Sequence, residues 1–293
     1  MKLAITGGSG QLARKVAELV LETVAPEDLI ITTRTPAVLA AFAARGVTVR
    51  PADFATPQSL RHAFAGIERL LLISATDLAH RTEQHRAALD AARAAGVRHV
   101  IYTSGLKPEP PNPAVVAPSH FATEQALTQS GLDWTILRNS LYSDYQAPEA
   151  AQSIAAGALL HNRGTGQVAY VAREDCAAAA AAVLVGRGHA GRCYDITGPD
   201  AYSAAELAAL YTELGRRPVV ERAVGDAELI ATLVGSAGHD DHLRYGAELV
   251  ASFGRSIREG YMSACTDDVV NLTGRAPRSL RDVLEPVRAG GRG

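Results

Sequence analysis

Ser119, His120 and Glu124 are spaced along one predicted helix in the middle of the chain, within the run VVAPSHFATEQAL. His120 and Glu124 are four residues apart, so a helix places them on the same face. A histidine with an ordinary pKa can protonate a substrate oxygen near neutral pH or hydrogen-bond a sugar hydroxyl. The alternative is a histidine that only caps or packs. Glu124 would then either orient His120 or form a structural ion pair.

A glycine-rich turn near the N-terminus predicts a phosphate-binding site. The strand-like run KLAIT leads into TGGSGQLARKV, in which Gly7, Gly10 and Ala13 recur at every third position. Glycines permit a tight turn and a close approach of a pyrophosphate, which the free N–H groups of the following helix would attract. A plain strand-to-helix turn is the alternative. The residues expected to line the phosphates are Gly7, Ser9, Gly10, Gln11 and Leu12.

The end of the second strand indicates which dinucleotide binds. An NAD site usually has an acidic residue there that binds the ribose 2′-hydroxyl, but the run IITTRTP contains Arg34 and no acid. A guanidinium suits a 2′-phosphate, so NADPH is the predicted cofactor, although a solvated surface arginine is the alternative. Asp53 and Phe54 follow the third strand, where they would flank the adenine or serve as a helix cap and a core residue.

Polar residues also end the later strands. Ligands of open parallel sheets bind beyond the carboxyl ends of the strands. We therefore expect the nicotinamide half to contact Ser74, Thr76, Thr103 and Ser104. Asn139 and Tyr142, in the run RNSLY, follow the sixth strand, and we expect Asn139 to contact the cofactor. Tyr142 would line the acceptor pocket or act as a proton donor, unless it is a core tyrosine. A proline-rich loop over 105–118 is a possible stiff lid.

Apolar strands alternate with amphipathic helices through the first half of the chain. This pattern predicts an α/β fold, a Rossmann-type doubly wound parallel sheet with a smaller C-terminal α/β lobe. The predicted division is an NAD(P)-binding part over 1–150, a substrate-binding lobe over 151–288 that is partly interleaved with it, and a disordered tail over 289–293.

Charge and composition exclude several classes of function. The net charge of −2 gives no reason to expect nucleic acid or a membrane as a partner. Three scattered cysteines predict free thiols, and the apolar runs are too short for a bilayer span, so we expect a cytoplasmic protein. HRTEQH (80–85) and HDDH (239–242) have histidines at close spacing, but we interpret both as solvated polar faces and expect no metal site.

Several runs together resemble the NmrA-like atypical short-chain dehydrogenases, in particular the members that reduce quinones and triphenylmethane dyes. The similarity extends over nearly the whole chain, and its most specific part is HFATEQALTQSGLDWTILRNSLYSD. In tyrosine-dependent short-chain dehydrogenases a tyrosine donates the proton and a lysine lowers its pKa. Here Val116 stands at the tyrosine position and His120 at the lysine position. The resemblance implies direct hydride transfer from NADPH to a flat, conjugated small-molecule acceptor, without that pair.

Two other functions are compatible with the same residues. One is an NADP(H)-sensing regulator of the NmrA type, which binds the dinucleotide without turnover. The other is a carbonyl or imine reductase in which His120 or Tyr142 donates the proton. A homodimer is a possible assembly, although no helix face in the sequence identifies an interface.

Overall fold

The computed structural model describes residues 1–235 and 240–289. Its strands are β1 (Leu3–Ile5), β2 (Leu29–Thr33), β3 (Thr48–Pro51), β4 (Arg69–Leu72), β5 (His99–Gly105), β6 (Asp133–Asn139), β7 (Ala158–His161), β8 (Arg192–Ile196) and β9 (Val220–Ala223).

Its α-helices are α1 (Gln11–Val20), α2 (Ala40–Ala44), α3 (Pro57–Phe64), α4 (Arg81–Ala94), α5 (Ala117–Thr128), α6 (Gln146–Ala156), α7 (Arg173–Val185), α8 (Ala204–Gly215), α9 (Asp226–Val234), α10 (Asp241–Arg258), α11 (Asp268–Thr273) and α12 (Leu280–Ala289). Single 3₁₀ turns lie at Pro26–Asp28, Pro36–Leu39 and Ser143–Tyr145.

Seven of the strands form one parallel sheet in the order β3-β2-β1-β4-β5-β6-β8. The chain therefore runs outward from β1 in one direction and then outward from β4 in the other. In a doubly wound sheet the crevice at this reversal, beyond the carboxyl ends of the strands, is where ligands bind. The predicted doubly wound α/β architecture is confirmed.

Helices cover both faces of the sheet because its central strands are apolar on both sides. One apolar layer joins the sheet to α1 and α7, with Val16 and Val183 fully buried between them. The other layer joins the sheet to α3, α4 and α5, with Phe64 and Leu127 fully buried. The two layers fix the start of α1, α4 and α5 at the same edge of the sheet, since each of these helices follows a parallel strand.

A third apolar cluster lies outside the large sheet. It includes residues of β7, Val219 just before β9, and helices α6, α8, α10 and α12, and β7 pairs with β9 in a separate two-stranded parallel sheet. Helix α8 begins with a capping box, in which the side chains of Ser203 and Glu206 accept hydrogen bonds from each other's backbone N–H groups. The chain returns to the large sheet between the two halves of this cluster, in α7 and β8. We keep the division into a cofactor part and a substrate lobe as a proposal.

Two of the sequence interpretations involve residues that lie outside the described ranges. These are His239 of the run HDDH and residues 290–293 of the predicted tail. The rest of HDDH is exposed as expected, and Asp240 caps α10 by accepting hydrogen bonds from the N–H groups of His242 and Leu243. None of the described helices combines the length and the apolar composition that a bilayer crossing requires.

Candidate active site

The glycine turn between β1 and α1 has the geometry of a phosphate-binding loop. Gly7 has φ +67°, a conformation that side chains disfavour. Gly8 packs against β2, since a Cβ there would lie 2.3 Å from Ile31 Cγ2. Gly10 closes the turn by donating its N–H to the Gly7 carbonyl at 2.8 Å. Among the described residues no side chain caps α1 and its first turn has no acid, so its N–H groups suit a pyrophosphate.

The residues predicted around the phosphates surround this turn. Ser9 and Gln11 are exposed, whereas Leu12 is buried in the core and contributes only its backbone. Gly8 was missed in the sequence, although the adjacent glycines of TGGSG were the available signal. Its role is close packing, because any side chain there would displace β2 from α1.

The adenosine side of the site is more open. Arg34 is exposed directly after β2, and its contact with a 2′-phosphate stays a prediction. Asp53 accepts a hydrogen bond from the N–H of Ala55 at 3.0 Å, so it stabilises the turn that precedes α3. Phe54 is half-buried, and its ring is nearly perpendicular to that of His85, at a centroid distance of 6.1 Å. Contacts of Asp53 and Phe54 with adenine stay predictions.

Threonine hydroxyls fix the carboxyl end of β4. The N–H of Ile73 donates to Thr6 Oγ1 at 2.9 Å, and the N–H of Ser74 donates to Thr103 Oγ1 at 3.0 Å. Thr103 therefore positions the loop that contains Ser74 and the exposed Thr76. The Ser104 hydroxyl is buried and has no partner among the described residues, and its contact with the cofactor stays a prediction.

His120 is buried and both of its ring nitrogens are engaged. Arg81 Nη1 lies 3.3 Å from Nε2, and the Tyr102 hydroxyl lies 2.8 Å from Nδ1. A guanidinium can only donate, so Nε2 accepts and the ring proton lies on Nδ1, facing Tyr102. Burial, followed by the charge of Arg81, holds the pKa of His120 well below its usual value. This geometry favours the packing alternative over proton donation.

Glu124 forms a structural ion pair and does not orient His120. Its carboxylate accepts two hydrogen bonds from Arg138 of β6, from Nε at 3.0 Å and from Nη2 at 2.6 Å. Arg138 also contacts Glu109 at 2.5 Å, in the proline-rich loop. That loop is bonded to α10 as well, where Ser256 donates to the Asn112 side chain at 2.9 Å. The loop is therefore anchored on two sides, and its role as a lid stays a prediction.

Asn139 and Tyr142 lie together beyond β6. The Asn139 amide donates to the Tyr142 hydroxyl at 3.3 Å, while its own Oδ1 has no partner among the described residues. Burial raises the pKa of Tyr142 far above its ordinary value, so the phenol stays protonated. Its O–H can therefore donate to an acceptor oxygen. Asn139 pairs in register with Gly105, against which the His120 ring packs, so the two sides of the site adjoin.

Arg173, at the start of α7, links the glycine turn to these aromatic side chains and was missed in the sequence. Its guanidinium bonds the Gln11 side chain and pairs with Asp144 at 3.0 Å. It also lies over the rings of Tyr142 and Tyr145, 5.1 and 5.2 Å from their centroids. Only the fold brings α7 to the start of α1, so no local pattern identified this contact.

The interpretation of HRTEQH as a solvated polar face is wrong for two of its residues. His80 is exposed, but Arg81 is 7% and His85 0% exposed. Both hold the loop after β4, since Arg81 Nε donates to the Ala75 carbonyl at 2.7 Å and the Ala75 N–H donates to His85 Nε2 at 2.9 Å. The four-residue spacing of Arg81 and His85 was the available signal, because it places them on one helix face.

Comparison with known proteins agrees with this geometry. Residues 7–186 match the model of a family described as NAD(P)H-binding. The quinone oxidoreductase 2 of Escherichia coli (strain K12) is 38% identical over 280 residues, which are 96% of each chain. This chain belongs to the NAD(P)H-binding family. It is an NAD(P)H-dependent oxidoreductase that binds the dinucleotide. That the phosphates lie at the glycine turn stays a prediction.

Two solved structures share the fold of this NAD(P)H-binding oxidoreductase over its whole length. The NADPH-dependent quinone oxidoreductase of Escherichia coli, in complex with NADPH, superposes with a TM-score of 0.91 at 34% identity, over 97% of this chain and 99% of the other. The triphenylmethane reductase of a Citrobacter species, in complex with NADP(H), superposes with a TM-score of 0.89 at 32% identity, over 98% of this chain and 100% of the other. The predicted resemblance and the predicted dinucleotide cofactor are confirmed.

Proposed function

We propose that this oxidoreductase uses NADPH to reduce quinones or similar flat, conjugated acceptors by direct hydride transfer. The observation that carries the proposal is the absence of a poised acid where short-chain dehydrogenases have one. Val116 stands at the tyrosine position, and His120 is a neutral, buried ring with both nitrogens engaged. Such a site suits an acceptor whose negative charge is stabilised by its own conjugation, and the named relatives act on acceptors of this kind.

The cofactor would be held by the backbone from Gly7 to Leu12 and by the exposed Arg34. The dihydronicotinamide, when bound, supplies the hydride. Ser74, Thr76 and Ser104 would contact its amide and ribose, since they line the carboxyl ends of β4 and β5. Their fixed positions contribute to the rate chiefly by holding the acceptor and the cofactor close together in a productive orientation.

The acceptor would lie against Asn139 and Tyr142. The Tyr142 phenol would donate a hydrogen bond to a carbonyl oxygen and stack on a flat ring, and the Asn139 amide, which donates to this phenol, would orient it. Because the pKa of Tyr142 is raised, it is a hydrogen-bond donor and a poor acid at neutral pH. The final proton of the hydroquinone would come from water.

The decisive experiment follows NADPH oxidation by absorbance with a panel of neutral quinones, a cationic triphenylmethane dye and simple ketones, with NADH in parallel. We expect acceptor-dependent oxidation with quinones and a preference for NADPH. Gly10→Val, which blocks the phosphate loop, is the inactive control. Turnover with ketones alone would support a carbonyl reductase instead. Tight NADPH binding without turnover on any acceptor would support a sensor.

A second measurement tests the proton donor. His120→Gln should leave the shape of the pH–rate profile for quinone reduction unchanged, because the one N–H of His120 faces Tyr102 and not the acceptor. Tyr142→Phe, the comparison variant, should raise the acceptor KM because it removes the hydrogen bond and keeps the ring. A pH–rate limb that disappears with His120 would restore it as the acid.

A further inference from the structure

Arg81 is a buried positive charge with no salt-bridge partner among the described residues, and the carboxylate of Asp77 acts on it only from beyond ion-pair distance. It occupies the first position of α4 and is 7% exposed. No carboxylate in residues 1–235 and 240–289 lies within 4.0 Å of its nitrogens, and the acid on the preceding turn, Asp77, instead bonds His80 at 2.9 Å and Gln84 at 3.2 Å. Burial lowers the pKa of Arg81, but an arginine side chain remains protonated at neutral pH even when it is buried.

This placement is unfavourable by itself. The first turn of a helix carries the positive end of its dipole, and removing an unpaired charge from water costs several kcal/mol. The groups that face Arg81 from other elements are neutral: Tyr102 from β5, His120 from α5 and Tyr245 from α10. A charge kept at such a cost, next to a ligand site, is typical of a functional residue.

Two of the three guanidinium nitrogens are used to hold the site. Nε donates to the Ala75 carbonyl at 2.7 Å, and Nη1 donates to His120 Nε2 at 3.3 Å and contacts the Ser119 hydroxyl at 3.4 Å. The third nitrogen, Nη2, bonds none of the described residues and is not among their fully buried unpartnered atoms. It is the guanidinium nitrogen left for a ligand between the loop after β4 and α5, the two segments that Nε and Nη1 join.

We propose that Arg81 is the cation of this active site and stabilises the negative charge that develops on the acceptor. The inference rests on the proposed function. In this arrangement α4 supplies the charge that a lysine on α5 supplies in tyrosine-dependent dehydrogenases, and His120 is the neutral spacer against which the guanidinium is fixed.

The charge balance of the reaction shows what the cation does. A neutral quinone accepts a hydride, which is one proton and two electrons, and NADPH becomes NADP⁺. The product is a hydroquinone monoanion, which then takes one proton from water. Arg81 would stabilise that monoanion, and a preorganised charge in a site of low dielectric is effective for this purpose. The same charge would favour acceptors with an anionic substituent and disfavour cationic dyes.

The test compares a sulfonated naphthoquinone with its uncharged parent. Two quantities would be measured for each quinone: kcat/KM with NADPH, and the dissociation constant of the quinone from the complex of the protein with NADP⁺. The variants are Arg81→Gln, Arg81→Lys and the control Arg86→Gln. Arg86 is exposed on the same helix. In Arg81→Gln we expect the preference for the sulfonated compound to fall by about tenfold. Arg81→Lys should retain most of it, and Arg86→Gln all of it.

An equal decrease of kcat/KM and of affinity for both quinones in Arg81→Gln would show that Arg81 is only structural. If Arg81→Gln does not fold, Arg81→Lys decides, because a lost preference there would contradict the role of the charge. If the wild-type protein oxidises NADPH with neither compound, the proposed function fails, and the two dissociation constants still test whether Arg81 makes the site anion-selective.

Discussion

At the scale of single residues, cofactor binding should depend on the charge at position 34 and on the space for a Cβ in the glycine turn. Arg34 is exposed after β2, and no acidic residue stands in the run that follows this strand. Arg34→Glu should raise the Kd for NADPH at least about tenfold, since it replaces a charge-assisted hydrogen bond by repulsion. The Kd for NADH should change little.

The matched control is Arg192→Glu, which makes the same charge change at the opposite edge of the sheet, where β8 begins. It should affect neither dinucleotide. Both constants can be measured by fluorescence titration. Equal weakening of NADPH and NADH by Arg34→Glu would remove the role assigned to the 2′-phosphate.

The two glycines of the turn make separable contributions. Gly8→Ala places a Cβ 2.3 Å from Ile31 and 2.8 Å from Leu39, so it should destabilise the fold by about 1–3 kcal/mol. A Cβ at Gly10 would meet only the Gly7 carbonyl at 3.2 Å, and its φ of −78° suits any residue. Gly10→Ala should therefore weaken NADPH binding with little loss of stability. Thermal unfolding and NADPH titration distinguish the two, and the reverse pattern would contradict these assignments.

At the scale of elements, α7 connects the cofactor turn to the acceptor side. Arg173→Met removes the bonds to Gln11 and Asp144 and the stacking on two tyrosines. It should raise both the Kd for NADPH and the KM for the acceptor by several-fold, roughly the effect of 1 kcal/mol. Isothermal titration and steady-state kinetics measure the two effects.

The same helix provides a control. Glu174 forms exposed ion pairs with Lys15 of α1 at 2.9 Å and with Arg278 at 2.7 Å. Exposed pairs contribute about 0–1 kcal/mol, so Glu174→Gln should leave binding and kinetics nearly unchanged. If Glu174→Gln raised the Kd for NADPH and the KM for the acceptor as much as Arg173→Met does, then α7 would act only by packing against α1, and not through the contacts of Arg173.

At the scale of the whole molecule, stability should fall in mild acid. Burial lowers the pKa of His85 to about 3 and that of His99 to about 4, from an ordinary 6.5. At a pH between the histidine pKa in the folded protein and the pKa in the unfolded chain, the unfolded chain binds more protons. The free energy of unfolding should therefore be fully retained above about pH 6.5 and decrease as the pH falls towards 4, by about 1.4 kcal/mol per unit of lowered pKa.

Urea unfolding at pH 8, 6.5 and 5 measures this dependence. His99→Gln, which removes one of the buried, neutral rings, should reduce the slope, whereas the exposed His242→Gln should not. A free energy of unfolding that is constant from pH 8 to 5 would contradict the neutral, buried state of these histidines. The possible homodimer stays a prediction that analytical ultracentrifugation can test.

The sequence by itself determined the fold class, the glycine turn and the missing tyrosine at position 116. These features are local: strand and helix periodicity, glycines at fixed spacing and the residue type at one position are all read along the chain. The tertiary structure alone decided that His120 is a neutral ring held by Arg81 and Tyr102, and that Glu124 pairs with Arg138. It also brought Arg173 to Gln11 across 162 positions of the chain. Burial and pairing depend on which elements pack together, and those partners are remote in sequence.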